Sequence, residues 1–214
     1  MESKIIVVNF KNYVYGGKTL DIIRKIDIYC NKAIVAISFV DIREIAKNTT
    51  IPIYAQHVDH FEQGRATGFM TAEAIKDAGA KGSLLNHSEH PISIIKIKKT
   101  IDRCNENGLK LIICVSSLEQ AQKIKILNPY ALAFEDPKLI ASGKSITSYR
   151  THDVKKFVEL LDKSNILALC GAGVNSADDV KHALELGCEG VLVSSAVANS
   201  QDPDNFLKDV SKLL

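Results

Sequence analysis

The chain has 214 residues, 46% of them hydrophobic and 24% charged, which is enough for one good-sized core and short for two domains. Its 27 basic and 25 acidic side chains leave a net charge of +2, too balanced for a nucleic-acid or membrane surface. No apolar run reaches spanning length, and Met1-Glu2-Ser3-Lys4 lacks the features of a signal peptide, so the expected location is the cytoplasm.

Short β-rich runs alternate with helical stretches from end to end. The runs are 5–10, 33–38, 53–56, 82–86, 109–115, 130–135, 166–170 and 190–193. Their near-continuous apolar character fits strands buried on both faces, as in a parallel sheet. Between them, Leu20, Ile23, Ile26 and Ile28 form a charge-interrupted helical pattern, and 72–79 ends in Gly79, a common C-terminal cap. Residues 92–107 read as a helix followed by Gly108. Asn175-Ser176-Ala177-Asp178-Asp179 opens another with a cap and early acids, and Asp202-Pro203 opens the last with proline at the first position. Cys30, Cys104, Cys114, Cys170 and Cys188 are odd in number and show no Cys-x-x-Cys spacing. They are expected to be buried small hydrophobes in a reducing compartment.

Eight strand–helix units in this length imply α/β architecture, a single (β/α)8 barrel over residues 1–214. A doubly wound sheet is the alternative, but no Gly-x-Gly-x-x-Gly follows the first strand.

In such a barrel, polar residues at the carboxyl ends of strands are the functional candidates. In order they are Asn9 and Lys11, Gln56, Asn86 and His87, and Glu135. Lys11 alone reads as a surface lysine; beside Asn9 it could hold an anionic substrate. His87 alone reads as a structural histidine. A helix N-terminus just after it would disfavour the imidazolium and leave a neutral hydrogen-bond donor.

The stretch Leu-Ala-Phe-Glu-Asp-Pro-Lys-Leu-Ile-Ala-Ser-Gly, residues 132–143, is the most informative. A carboxylate at the tip of a buried strand is expensive to desolvate, so Glu135 reads as an ion-pair partner or as a catalytic base. The following segment, with proline at one end and small residues at the other, can close as a lid. Cys170-Gly171-Ala172-Gly173-Val174 and Val193-Ser194-Ser195-Ala196 follow the last two strands, where glycine-rich backbone ahead of a helix can present N–H groups to a phosphate.

The ordered set Asn9-Phe10-Lys11, Ala55-Gln56-His57, Asn86-His87-Ser88-Glu89, Phe134-Glu135-Asp136-Pro137, Cys170-Gly171-Ala172-Gly173 and Gly190-Val191-Leu192-Val193 resembles the triosephosphate isomerase family, most closely its short archaeal type. The resemblance runs the whole length and implies an aldose–ketose isomerase of glycolysis and gluconeogenesis without metal or organic cofactor. It implies Glu135 as base, His87 as neutral electrophile and Lys11 as the cation. Asn9, Ile140, Ala141, Gly171, Gly173, Ser194 and Ser195 would bind the triose phosphate, and Glu89 would organise Lys11. His57 and Asp59 lie on the longest loop, which in the family packs into a partner subunit, so a homodimer or homotetramer is expected. Three features depart from the family pattern: Asp136 stands where proline commonly follows the base, Ala141-Ser142-Gly143 replaces Gly-Thr-Gly, and Ser194-Ser195 replaces a more glycine-rich stretch. A serine there would be strained if the backbone has positive φ. The alternatives are another phosphate-sugar barrel, such as a metal-dependent epimerase, and a non-catalytic phosphometabolite binder. The strand ends show no metal-ligand set for the first, and the second would be expected to lack Glu135, His87 or Lys11.

Overall fold

Every apolar run becomes a strand, and each strand hands over to at least one helix. The computed structural model describes residues 4–140 and 142–214. The elements are β1 (Ile5–Asn9), α1 (Gly17–Tyr29), β2 (Ala33–Ile37), α2 (Phe39–Ile45), β3 (Ile53–Ala55), α3 (Ala72–Asp77), β4 (Gly82–Leu85), α4 (Ile94–Glu106), β5 (Lys110–Val115), α5 (Leu118–Lys125) and β6 (Ala131–Phe134). Then follow α6 (Ile146–Tyr149), α7 (Thr151–Leu161), β7 (Leu167–Gly171), α8 (Ala177–Glu185), β8 (Gly190–Val193), α9 (Ser195–Ala198) and α10 (Asp204–Ser211). Each strand pairs in parallel with the next, and β8 pairs with β1, so the sheet closes into a barrel.

Two apolar layers hold it. Alternate strand residues, among them Val7, Tyr54, Leu84, Ile112, Leu169 and Leu192, fill the barrel interior. The others, such as Ile6, Val35, Ile113 and Val191, face the helices and pack on their buried stripes. All five cysteines are free and buried.

The helix signals act locally as their chemistry requires. Thr71, Ser93 and Ser117 accept N-cap hydrogen bonds, and Ser176 with Asp179 makes a full capping box. In α1, Ile23 and Ile26 are buried but Ile28 is exposed, because a residue two places on lies across the helix. Pro203 sits at the N-cap of α10, one place earlier than expected. The sequence pattern does not delimit α2, α5 or α7. For α7 the stripe Val154, Phe157 and Leu161 is present, but Arg150 at its start makes no side-chain cap. Phe157 stacks on Phe134 with ring centroids 5.3 Å apart, fastening α7 behind β6.

Candidate active site

Glu135 leaves β6 at the carboxyl end of the barrel, its N–H bonded to the Val115 carbonyl at 2.9 Å. The side chain is buried, and its Oε2 has no hydrogen-bond partner among the described residues. Burial pushes the carboxyl above its ordinary range, while His87, the Cys114 thiol hydrogen bond and Lys11 pull it back. Room for the carboxylate comes from Gly171: a Cβ there would sit 2.8 Å from Glu135 Oε1.

His87 faces the same point from β4. Its Nε2 lies 3.6 Å from Glu135 Oε2, beyond hydrogen-bond range. The N–H of Glu89 is directed at Nδ1 at 3.2 Å. A donor aimed at Nδ1 needs a lone pair there, which places the ring proton of the neutral tautomer on Nε2. This constraint comes from a turn, closed by His90 N–H on the His87 carbonyl at 2.7 Å, because α4 begins only at Ile94. The helix expected just after His87 thus begins only at Ile94, and the donor that meets the ring is the Glu89 N–H. Asn86 anchors the loop, donating to the Cys114 carbonyl at 2.8 Å and accepting from Ile92 N–H at 3.0 Å.

Lys11 completes the group in a left-handed backbone conformation, φ +45°, that costs a non-glycine residue energy and needs support. Its N–H donates to Asn9 Oδ1 at 2.9 Å, and Gln56 Nε2 donates to its carbonyl at 2.6 Å. The ammonium pairs with Glu89 at 2.5 Å. One loop therefore sets both neighbours of the base, since Glu89 fixes the imidazole through its backbone and the lysine through its side chain.

Asn9, Lys11, His87, Glu135, Ile140, Gly173, Ser194 and Ser195 all line one cavity of about 350 Å3. Gly171 is not among the lining residues, and Ala141 lies outside the described residues. Ser194 has φ −141°, so the expected strain is absent there, and its hydroxyl donates to the Asn9 carbonyl at 2.7 Å. Strain falls instead on Ala172, at φ +73°. Gly173, at φ +70°, has no room for a side chain, because a Cβ would run into the Lys144 carbonyl at the far end of the lid segment. After Glu135 the chain turns at once: Leu139 N–H bonds to the Asp136 carbonyl at 2.9 Å, Leu139 is buried, and Gly143 takes φ +75°.

Tyr13, Asn175 and Asn199 also line the cavity, and the sequence offers no signal for them, since each is an ordinary loop or helix-end residue. Cys114 reads in sequence as a small core residue, which it also is. His57 stacks on His90 with centroids 4.0 Å apart, beside Asp59 at 3.3 Å, in the loop that also carries the Phe61–Phe69 contact. No cluster of three His, Cys, Asp or Glu side chains that could hold a metal occurs among the described residues. No helix among them is long and apolar enough to cross a membrane.

The sequence profile described as triosephosphate isomerase matches residues 4–212. The triosephosphate isomerase of Methanocaldococcus jannaschii is 35% identical, over 98% of this chain and all (100%) of that protein. Those of Methanothermus fervidus and Metallosphaera sedula are each 38% identical, over 98% of this chain and 98% and 95% of their own lengths. The crystal structure of the enzyme from Bartonella henselae superposes with a TM-score of 0.76, covering 96% of this chain and 97% of that one. At 19% identity that likeness speaks to the fold alone.

Proposed function

The chain belongs to the triosephosphate isomerase family, and from that premise we infer that Glu135, His87 and Lys11 carry its catalysis. The reaction is the interconversion of dihydroxyacetone phosphate and D-glyceraldehyde 3-phosphate in glycolysis and gluconeogenesis. The observation that carries the assignment of residues is the buried carboxylate of Glu135, with an oxygen that has no hydrogen-bond partner among the described residues, 3.6 Å from His87 Nε2 in a cavity that Gly143 and Gly173 also line.

Glu135 removes a proton from the carbon beside the substrate carbonyl and returns it to the former carbonyl carbon, while the hydroxyl proton on the first carbon passes to the former carbonyl oxygen. Its poor solvation keeps it basic enough to do so. Negative charge builds on the carbonyl oxygen as the enediol(ate) forms. His87 Nε2–H, uncharged, donates to that oxygen, and the Lys11 ammonium adds a fixed positive charge. This pairing of a glutamate base with a neutral histidine under a closing loop is the family's established logic, applied here to these residues. The phosphate takes the opposite side of the cavity, on backbone N–H groups around Gly173, Ser194 and Ser195 at the start of α9. Ile140, in the lid segment, closes over it. Gly171 then acts on the base by leaving space, rather than on the phosphate. The phosphate's binding energy holds the lid shut around Glu135.

Residues 1–214 act in this reading as one domain in the cytoplasm, with no metal or organic cofactor. Copies associate into a homodimer or homotetramer through the loop 56–71, where Phe69 is exposed beside Phe61 and His60. Purified chain in chelator should interconvert the two triose phosphates in a coupled dehydrogenase assay. No turnover in that assay would falsify the functional reading, and a monomer by sedimentation would remove the self-association.

A further inference from the structure

Asp136 stands directly after the base and ahead of Pro137, and its carboxylate is fully engaged. Oδ1 accepts the Lys138 N–H at 3.0 Å, setting the first turn of the lid segment. Oδ2 pairs with Arg150 Nη1 at 2.5 Å. Arg150 is itself fixed. Its Nε pairs with Asp153 at 2.5 Å, its N–H bonds to the Ile146 carbonyl at 2.8 Å, and its carbonyl accepts Val154 N–H at 2.9 Å. It is therefore the joint between α6 and α7. On the other side of the base, Phe134 is stacked on Phe157 of α7. The residues before and after Glu135 are thus both fastened to the same helical layer, one by an aromatic contact and one by an ion pair.

A proline restrains its own φ through its ring. Aspartate has no such restraint, and the two contacts of Asp136 supply one from outside. We propose that Asp136 and Arg150 are positioning residues for the isomerase reaction: their ion pair holds the strand end that carries Glu135 in place against His87, so that lid motion begins beyond Lys138. This rests on Glu135 being the base. The pair is partly open to water, with side-chain exposures of 13% for Asp136 and 42% for Arg150. Pairs of that kind add little to global stability. The contribution falls on placement of the base, where a displacement of about an ångström is felt strongly in rate.

The test uses the full chain and compares the parent with Asp136→Asn, Arg150→Gln, Arg150→Lys and the double variant Asp136→Asn/Arg150→Gln. Asparagine keeps an acceptor for Lys138 N–H but loses the charge. We expect kcat to fall about tenfold in Asp136→Asn and Arg150→Gln, with KM changed less than about twofold and melting temperature nearly constant. The double variant should lose no more than either single one, because one interaction is removed twice. Arg150→Lys, which keeps the charge, should retain most of the rate. Unchanged kcat in Asp136→Asn overturns the proposal. So do losses that multiply in the double variant, or losses that follow a falling melting temperature. An inactive parent chain overturns the assigned function itself. An active parent with an unaffected Asp136→Asn variant overturns this inference alone.

Discussion

Glu135 and His87 face each other across the barrel mouth, Oε2 to Nε2 3.6 Å apart, with no hydrogen bond between them. The gap leaves both groups unspent: the carboxylate oxygen has no other partner among the described residues, and the ring proton points into the same space. A substrate carbonyl and its neighbouring carbon inserted there would meet a donor and a base at once. Replacing Glu135 by Gln should lower kcat by about 10²- to 10⁴-fold while a phosphoglycolate-type inhibitor still binds. Titration of the inhibitor and the coupled assay check this, and near-parent turnover would show the base to be misassigned.

The same burial sets a pH dependence. Glu135 has its carboxyl raised by desolvation, so the folded chain binds that proton more tightly than the unfolded chain does. Its favourable contribution is complete below the ordinary glutamate range and is lost as pH rises through the raised value. Above it the ionised, poorly solvated carboxylate is a net cost. Glu135→Gln should therefore melt higher than the parent at neutral pH, with the difference closing in acid. Melting curves across pH decide it: a Gln variant that melts lower at neutral pH contradicts the argument.

Activity has the opposite sign, because the base works only when ionised. The acid limb of kcat/KM should lie above the ordinary carboxylate range. Cys114 lowers the Glu135 value by donating its thiol, so Cys114→Val should move that limb to still higher pH. A limb that stays in place would mean that the thiol does not act on the base.

Lys11→Ala should weaken substrate and inhibitor binding and also reduce kcat. Gln56→Ala keeps the ammonium but removes the bond to the Lys11 carbonyl that supports its φ of +45°. We expect a smaller loss, about tenfold in kcat/KM, as the lysine relaxes from its strained backbone. Equal losses in both variants, measured in the coupled assay, would show that Gln56 does more than hold Lys11.

Gly173 and Gly143 both have positive φ but differ in surroundings. A methyl at Gly173 collides with the Lys144 backbone, whereas one at Gly143 meets nothing within 4 Å. Gly173→Ala should cost stability by about 1–3 kcal/mol and weaken phosphate-bearing ligands, while Gly143→Ala carries the backbone cost alone. Denaturant unfolding and inhibitor titration of the two variants test the contrast. Equal effects would mean that the contact with Lys144 is irrelevant.

The sequence by itself determined the kind and order of the elements, because strand and helix patterns are local: continuous apolar runs, serine caps and glycine stops lie within a few residues of what they control. It also marked Asn9, Lys11, His87 and Glu135, since a polar residue at the end of an apolar strand stands out from its neighbours. Only the tertiary structure decided what holds them. Gln56 supports Lys11, Gly171 makes room for Glu135, Cys114 lies beneath it, and Arg150 grips the residue after it. Gln56 and Gly171 stand out in sequence as strand-end residues but not in these roles, and Cys114 and Arg150 do not stand out at all, because each acts on a partner that only the folded chain brings near. The orientation of His87 shows the same limit. The sequence places a helix start just after it, but α4 begins only at Ile94, and the donor that meets the ring is the backbone N–H of Glu89, whose own side chain reaches across to Lys11.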